Sequence, residues 1–463
     1  MALAVAGCGL SAARYTSGDD ASTGDDGAGS GDDTPIVGHA GSRLARVLLT
    51  FSDGTTVPVG IHDTQLDADC DEVVWADGSS YCTPAGIDVW YADAGCSVPV
   101  ILASLDDPPR VFGSARDPSG TGLAHLYRAG ATTTLTTFYI NSGGVCNAFQ
   151  GSTLVYDVAA ELGPADLVEL TTSSDAGRLS YRFLHGADGF LGTTRQVMHD
   201  NTLQSDCGFA LGSFAYSTEY CVPQGGATAA YSDPACTMPV LVTPSSTPMP
   251  WAAPISSPAS CPDVTAVNAV GAVFTPTQLY TWDSSSTCTA FAPSTGLMYY
   301  QTASQGIALP PLVHEAAHQP GRRIQNALRT TGGLAFADRD LFDTELATWC
   351  IPNQEPDGTF TCQPEAVSIS TRYDDATCSH EILVAGVDDV AARCGYAMTT
   401  FATEASGGPI KPHPILSTQL HGLYAMTSSC VADDATYFAV GDAIPHSMLA
   451  TATRVTEPTS GAP

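Results

Sequence analysis

Lysine is nearly absent. The 463 residues contain one, Lys411, and Lys plus Arg together number 17 against 48 Asp plus Glu. The formal net charge is −31. A chain this acidic is repelled by phosphate backbones and anionic bilayer surfaces, which excludes nucleic acid as a partner class. No run approaches the roughly 20 apolar residues of a membrane-spanning helix. Amphipathic periodicity longer than two helical turns is missing, which excludes a helical fold. Also missing are a G-x-S-x-G nucleophile elbow and a glycine-rich phosphate loop opening a helix.

Cysteine, by contrast, is plentiful, with 15 residues. Setting Cys8 apart leaves an even number, which points to disulfides and an oxidising compartment. The strings that contain them repeat, and self-similarity at a fixed period defines a fold before any motif does. The first string runs through His62-Asp63, Leu66, Cys70, Tyr81-Cys82, Tyr91, Asp93 and Cys96. It returns as His199-Asp200, Leu203, Cys207, Tyr220-Cys221, Tyr231, Asp233 and Cys236. A third copy carries Phe342-Asp343, Leu346, Cys350, Cys362, Tyr373, Asp374 and Cys378. Cys70 and Cys207 are 137 residues apart, and Cys207 and Cys350 are 143 apart. A weaker second string follows each copy, around Tyr139 and Cys146, Tyr280 and Cys288, and Tyr424 and Cys430. The unit is therefore a double module.

Short runs rich in Val, Ile, Leu, Tyr and Trp, punctuated by Asp-Gly turns such as Asp53-Gly54 and Asp188-Gly189, give an all-β chain. Half of a module is about 70 residues, the size of one four-stranded blade with decorated loops. The expectation is a six-bladed β-propeller spanning 42–455, built from double-blade modules at 42–176, 177–321 and 322–455. The first strand opens with Arg43-Leu44, and its counterparts open with Arg178-Leu179 and Arg323-Ile324. The first strand has no predecessor and the last has no successor. Pairing the two closes the ring and hides both edges. Residues 456–463 form a short tail.

Val5-Ala6-Gly7-Cys8 resembles a bacterial lipobox, in which the cysteine is lipidated, although a basic region and a full apolar stretch do not precede it. Residues 1–8 are then a truncated lipoprotein signal. Residues 9–41, rich in Gly, Ser and Asp, bury too little apolar surface to fold and read as a tether. The whole resembles bacterial lipoproteins in which a lipobox and acidic tether precede cysteine-containing β-repeats. That resemblance implies a lipid anchor at Cys8 as the only membrane contact and a place in the cell envelope, at the outer membrane or cell surface.

One catalytic pattern stands out. His314-Glu315-Ala316-Ala317-His318 matches H-E-x-x-H, and Gly321 extends it toward the metzincin metalloproteases. On a helix the two histidines share a face and grip zinc while the glutamate activates water. Here the third ligand position is Ile324, and Pro320 interrupts a helix. The segment also aligns without a gap on 167–179 of the preceding module, where His314, Glu315 and His318 fall on Glu169, Leu170 and Ser173. A strand holds residues four apart about 13 Å from each other, too far for one ion. A zinc hydrolase using His314, Glu315 and His318 is thus the alternative to a protein without a metal or cofactor.

The repeated aspartates, Asp63, Asp200 and Asp343, and Asp93, Asp233 and Asp374, suit calcium or turn-capping, and capping needs no further oxygens. Isolated histidines such as His125 and His185 suit hydrogen-bonded surface positions. The five tryptophans suit blade core or a sugar-stacking platform. Disulfides are expected among Cys70, Cys82, Cys96, Cys146, Cys207, Cys221, Cys236, Cys350, Cys362 and Cys378, with the near pairs Cys70 and Cys82, Cys207 and Cys221, and Cys350 and Cys362 flanking hairpins. With Cys261, Cys288, Cys394 and Cys430 added, either one bond crosses modules or two thiols stay free. The functional expectation is a monomeric binding or scaffolding protein for an extracellular or envelope ligand, with carbohydrate binding as a further alternative.

Overall fold

The computed structural model describes residues 38–459 apart from 103–110, 117–121, 143–144, 175–176, 210–217, 224–225, 244–249, 254–265, 284–286, 304, 332–333, 356, 387–399, 404–410, 427–428 and 434. Cys8, Cys261 and Cys394 lie outside the described residues. The fold is all-β.

The first module supplies β1 (Leu44–Phe51), β2 (Thr56–Asp63), β3 (Ala68–Val74), β4 (Ser80–Pro84), β5 (Gly86–Tyr91), β6 (Pro99–Leu102), β7 (Phe112–Arg116), β8 (Leu123–Ser142), β9 (Val145–Leu162) and β10 (Val168–Ser174). The second supplies β11 (Leu179–Gly186), β12 (Leu191–Asp200), β13 (Ser205–Phe209), β14 (Thr218–Pro223), β15 (Gly226–Tyr231), β16 (Pro239–Thr243), β17 (Trp251–Ala253), β18 (Ala266–Phe274), β19 (Leu279–Trp282), β20 (Cys288–Phe291), β21 (Met298–Thr302), β22 (Ile307–Ala308) and β23 (Pro311–Ala316). The third supplies β24 (Ile324–Thr331), β25 (Leu334–Asp343), β26 (Thr348–Gln354), β27 (Phe360–Pro364), β28 (Ala366–Tyr373), β29 (Glu381–Gly386), β30 (Phe401–Thr403), β31 (Pro412–Leu420), β32 (Leu423–Met426), β33 (Cys430–Asp433), β34 (Tyr437–Val440) and β35 (Thr451–Thr456).

These strands do not form six four-stranded blades. Each module gives five strands to one closed sheet, ordered β1-β2-β3-β4-β10, then β11-β12-β13-β14-β23, then β24-β25-β26-β27-β35. The intervening strands leave this ring after its fourth strand and return at its fifth. The excursions, 86–162, 226–308 and 366–440, take up more than half of each module, so no module divides into two equal blades. β35 pairs with β27 on one side and with β1 on the other, in register Val47↔Thr456 to Phe51↔Ala452. Residues some 400 positions apart thus share a ladder, and the ring has no free end strand.

Each excursion is a small satellite. In the first, β5-β6-β9-β8-β7 close into a five-stranded barrel through the parallel pair β5–β7. The second runs the same circuit, β15-β16-β21-β18-β17, and the third runs β28-β29-β34-β31-β30. A distal hairpin projects from each: the far ends of β8 and β9, β19–β20, and β32–β33. It meets its barrel at a cross-strand tyrosine pair, Tyr91↔Tyr139, Tyr231↔Tyr280 and Tyr373↔Tyr424.

Burial follows the ring. Leu44, Ile61, Val168, Leu170, Leu184 and Phe190 pack where the first module meets the second. Leu49, Phe51, Val57, Ile324, Leu341 and Ala452 pack where the third meets the first. The hairpin disulfides Cys70–Cys82, Cys207–Cys221 and Cys350–Cys362 lie in these cores, with Cα separations of 5.3, 5.0 and 5.3 Å. Trp75, Phe112, Leu123 and Leu126 seat the first satellite on the ring.

Candidate functional site

The H-E-x-x-H segment lies on β23, which pairs with β24 in register His314↔Arg329 and Glu315↔Leu328. Successive strand residues face opposite sides, so His314 and Glu315 diverge. The His314 ring stacks on Trp349, with centroids 3.9 Å apart and planes 15° apart, and Phe342 meets the same indole edge-on. Glu315 is exposed, and His318 follows the strand end, also exposed. The three side chains therefore do not converge. Among the described residues, no three His, Cys, Asp or Glu side chains gather as a metal-ligand set.

The repeated aspartates are absorbed by structure. Asp63, Asp200 and Asp343 are fully buried. Each accepts two backbone N–H bonds from the turn after it: Gln65 and Leu66, Thr202 and Leu203, Glu345 and Leu346. Each also holds the arginine that opens its module's first strand, Arg43 at 2.6 Å, Arg178 at 3.1 Å and Arg323 at 2.7 Å. The same guanidinium donates to a carbonyl just before that module's fifth strand: Asp166, Ala308 and Met448 respectively. The hydrogen bond to Asp343 raises the Arg323 pKa. Sequence reading found both the Arg-Leu openings and the aspartates but missed that they are partners. Their constant spacing of 20 to 22 residues was the available signal.

The second set corrects one position. Asp93 and Asp233 cap the turns before β6 and β16, and the equivalent in the third module is Asp375, not Asp374. Asp93 takes N–H bonds from Gly95, Ser97 and Val98, and Asp375 from Thr377, Ser379 and His380. Hydrogen bonding from Val98 and Ser97 lowers the Asp93 pKa, and Thr377 leads the same effect on Asp375. At Asp233, partial burial opposes the bonds from Met238 and Thr237, and the net shift is again downward. Within each turn a cysteine adopts a left-handed backbone: Cys96 (φ 49°), Cys236 (φ 51°) and Cys378 (φ 49°). It bonds to the distal hairpin in Cys96–Cys146, Cys236–Cys288 and Cys378–Cys430. All ten cysteines expected to pair do so.

The remaining sequence candidates are also engaged. His125 faces Glu161, His185 faces Ser173, His62 faces Asp69 and His199 faces Asp206. Trp75 donates to Thr83 and Trp251 to the Leu203 carbonyl. Trp90 stacks on Phe138, which stacks in turn on Phe149.

What faces outward is the distal hairpin of each satellite, beside its disulfide. Val145 and Phe149 are exposed in the first, Phe291 in the second, and Met426 and Val431 in the third. Phe149 and Phe291 hold the same place in the aligned strings Cys146-Asn147-Ala148-Phe149 and Cys288-Thr289-Ala290-Phe291. Surface apolar residues clustered at equivalent positions mark contact sites more than isolated ones do. The third module departs at this position, where Asp433 binds Arg372 at 2.8 Å and Tyr437 at 2.7 Å.

A family model described as a family of unknown function, DUF7481, matches residues 32–450. No curated protein and no solved structure matches the chain.

Proposed function

This chain belongs to the DUF7481 family, and we propose that it is a binding scaffold of the cell envelope whose closed ring holds three satellites outward as ligand contacts. One observation carries the reading: the three satellites leave the ring at the same place, and each ends in a disulfide-tied hairpin with exposed apolar side chains. The buried aspartates, arginines and cysteines build the frame, while the tips vary in side chain on a constant backbone. That division of labour is how a rigid scaffold presents binding loops. The six disulfides are consistent with an extracellular or envelope protein. Lipidation at Cys8 would hold such a scaffold at the membrane by its acidic tether.

The test is a display of the full chain against arrays of glycans and envelope proteins. It is repeated with the triple variant Phe149→Lys, Phe291→Lys, Val431→Lys. Saturable binding that the variant loses supports the reading. Binding that the variant keeps in full places the contact elsewhere and defeats it.

A further inference from the structure

The geometry points to strand addition at the distal hairpins: we propose that their outer strands accept an extended, basic-apolar peptide segment of a partner protein. This rests on the satellite-binding reading and names its partner class. Among the described residues, the outer strand of each hairpin pairs on one side only. Residues 145–150 of β9 pair with β8, β20 pairs with β19, and β33 pairs with β32. The ring and the satellite barrels are closed circuits, so among the described residues the sheets end at these three strands and at the two-residue β22, which pairs with β18 alone. A free edge offers a row of backbone donors and acceptors to an incoming strand.

Three features suit these edges to a partner. A disulfide at Cys146, Cys288 or Cys430 fixes the strand to its barrel, so adding a strand orders little new chain. The edges carry exposed apolar side chains for register and affinity: Phe149 is 45%, Phe291 38% and Val431 42% exposed. Charge then selects among occupants. Residues 129–162, 196–321 and 412–453, which contain the hairpins, hold no Lys or Arg, and Arg372, which reaches β33 from β28, is paired with Asp433. A second copy brings another net charge of −31 and is repelled, whereas a strand with alternating apolar and basic residues is attracted. The four-residue length of β20 and β33 limits sheet growth to a short added strand.

The probe is a labelled peptide of alternating valine and lysine, compared with the same peptide N-methylated throughout. The methylated form keeps every side chain and charge but cannot donate backbone hydrogen bonds. Strand addition predicts three unmethylated peptides bound per full-length chain. It predicts binding at least tenfold weaker for the methylated peptide, and at least tenfold weaker for the triple lysine variant, whose substituted residues are exposed. Equal binding of the two peptides makes the attraction purely electrostatic and overturns the proposal. So does failure of the unmethylated peptide to bind at concentrations up to about 1 mM. If the array ligand is lost in the lysine variant while the two peptides bind equally, the satellite reading stands and strand addition alone falls.

Discussion

Single residues carry much of the architecture, and they carry it three times. Removing a buried carboxylate that satisfies both a turn and a guanidinium leaves several donors without a partner. Asp200→Ala is expected to lower stability by about 3 kcal/mol in urea unfolding. A change below about 0.5 kcal/mol would show the pair to be incidental. The turn aspartates predict an acid limit. Asp93, Asp233 and Asp375 have carboxyls held below the ordinary range when folded. Their stabilisation is present above the unfolded value near 4 and is lost as pH falls through the folded values. The stability gap between wild type and the triple Asp→Asn variant should be constant from neutral pH to about 5 and shrink below about 4. A gap independent of pH contradicts this. A third position repeats without any sequence signal: Asp67, Gln204 and Ala347 all take φ near 50°. Alanine has no local hydrogen bond with which to offset that conformation, so Ala347→Gly should raise stability by about 0.5–1 kcal/mol in the same assay.

At the scale of elements, the double module, its strands and its cysteine pairs were legible because two periodicities coincide. Strings recur near 140 residues, and apolar runs recur between turn residues. Which strands pair was not legible. A hairpin announces itself locally, but the return of β10 to β4, β23 to β14 and β35 to β27 spans an excursion with no sequence mark of its destination. Four-stranded blades and five-stranded ring segments with satellites share the same local signals. The H-E-x-x-H string shows the same limit in reverse: the gapless alignment on a strand-and-turn segment outweighed the motif because secondary structure decides whether i and i+4 converge. Asp-Gly turns also do more than reverse the chain. Asp188 accepts the N–H groups of Arg43 and Leu44, and Asp53 accepts that of Ile324, so each turn stitches its module to another. The corresponding stretch of the third module's sequence reads Thr331-Gly332-Gly333, and positions 332 and 333 lie outside the described residues. His314→Ala removes one aromatic stack and should cost about 1 kcal/mol, measured against Trp349→Ala and the double variant in a cycle.

The whole molecule is a frame with its weight at three seams. Short-loop disulfides in the ring cores each contribute about 3 kcal/mol, and the satellite bonds, closing loops of 50 to 52 residues, about 4. The six bonds among the described residues leave Cys261 and Cys394, which lie outside those residues, as the two unassigned cysteines of the repeats. Alkylation without reduction, read by intact mass, should therefore label no more than these two beside Cys8. More labels would mean that a ring or satellite bond is absent.

Ring closure underlies both the scaffold and its three outward tips, and it has a direct test. Hydrogen exchange is measured by mass spectrometry on the full chain and on a form truncated after residue 448, which lacks β35. Closure predicts that β1 and β27, separated by about 300 residues of sequence, lose protection together, because β35 is the strand that both pair with. If β1 keeps its protection while only β27 loses it, the first and last strands do not meet, and the modules are three domains in a row.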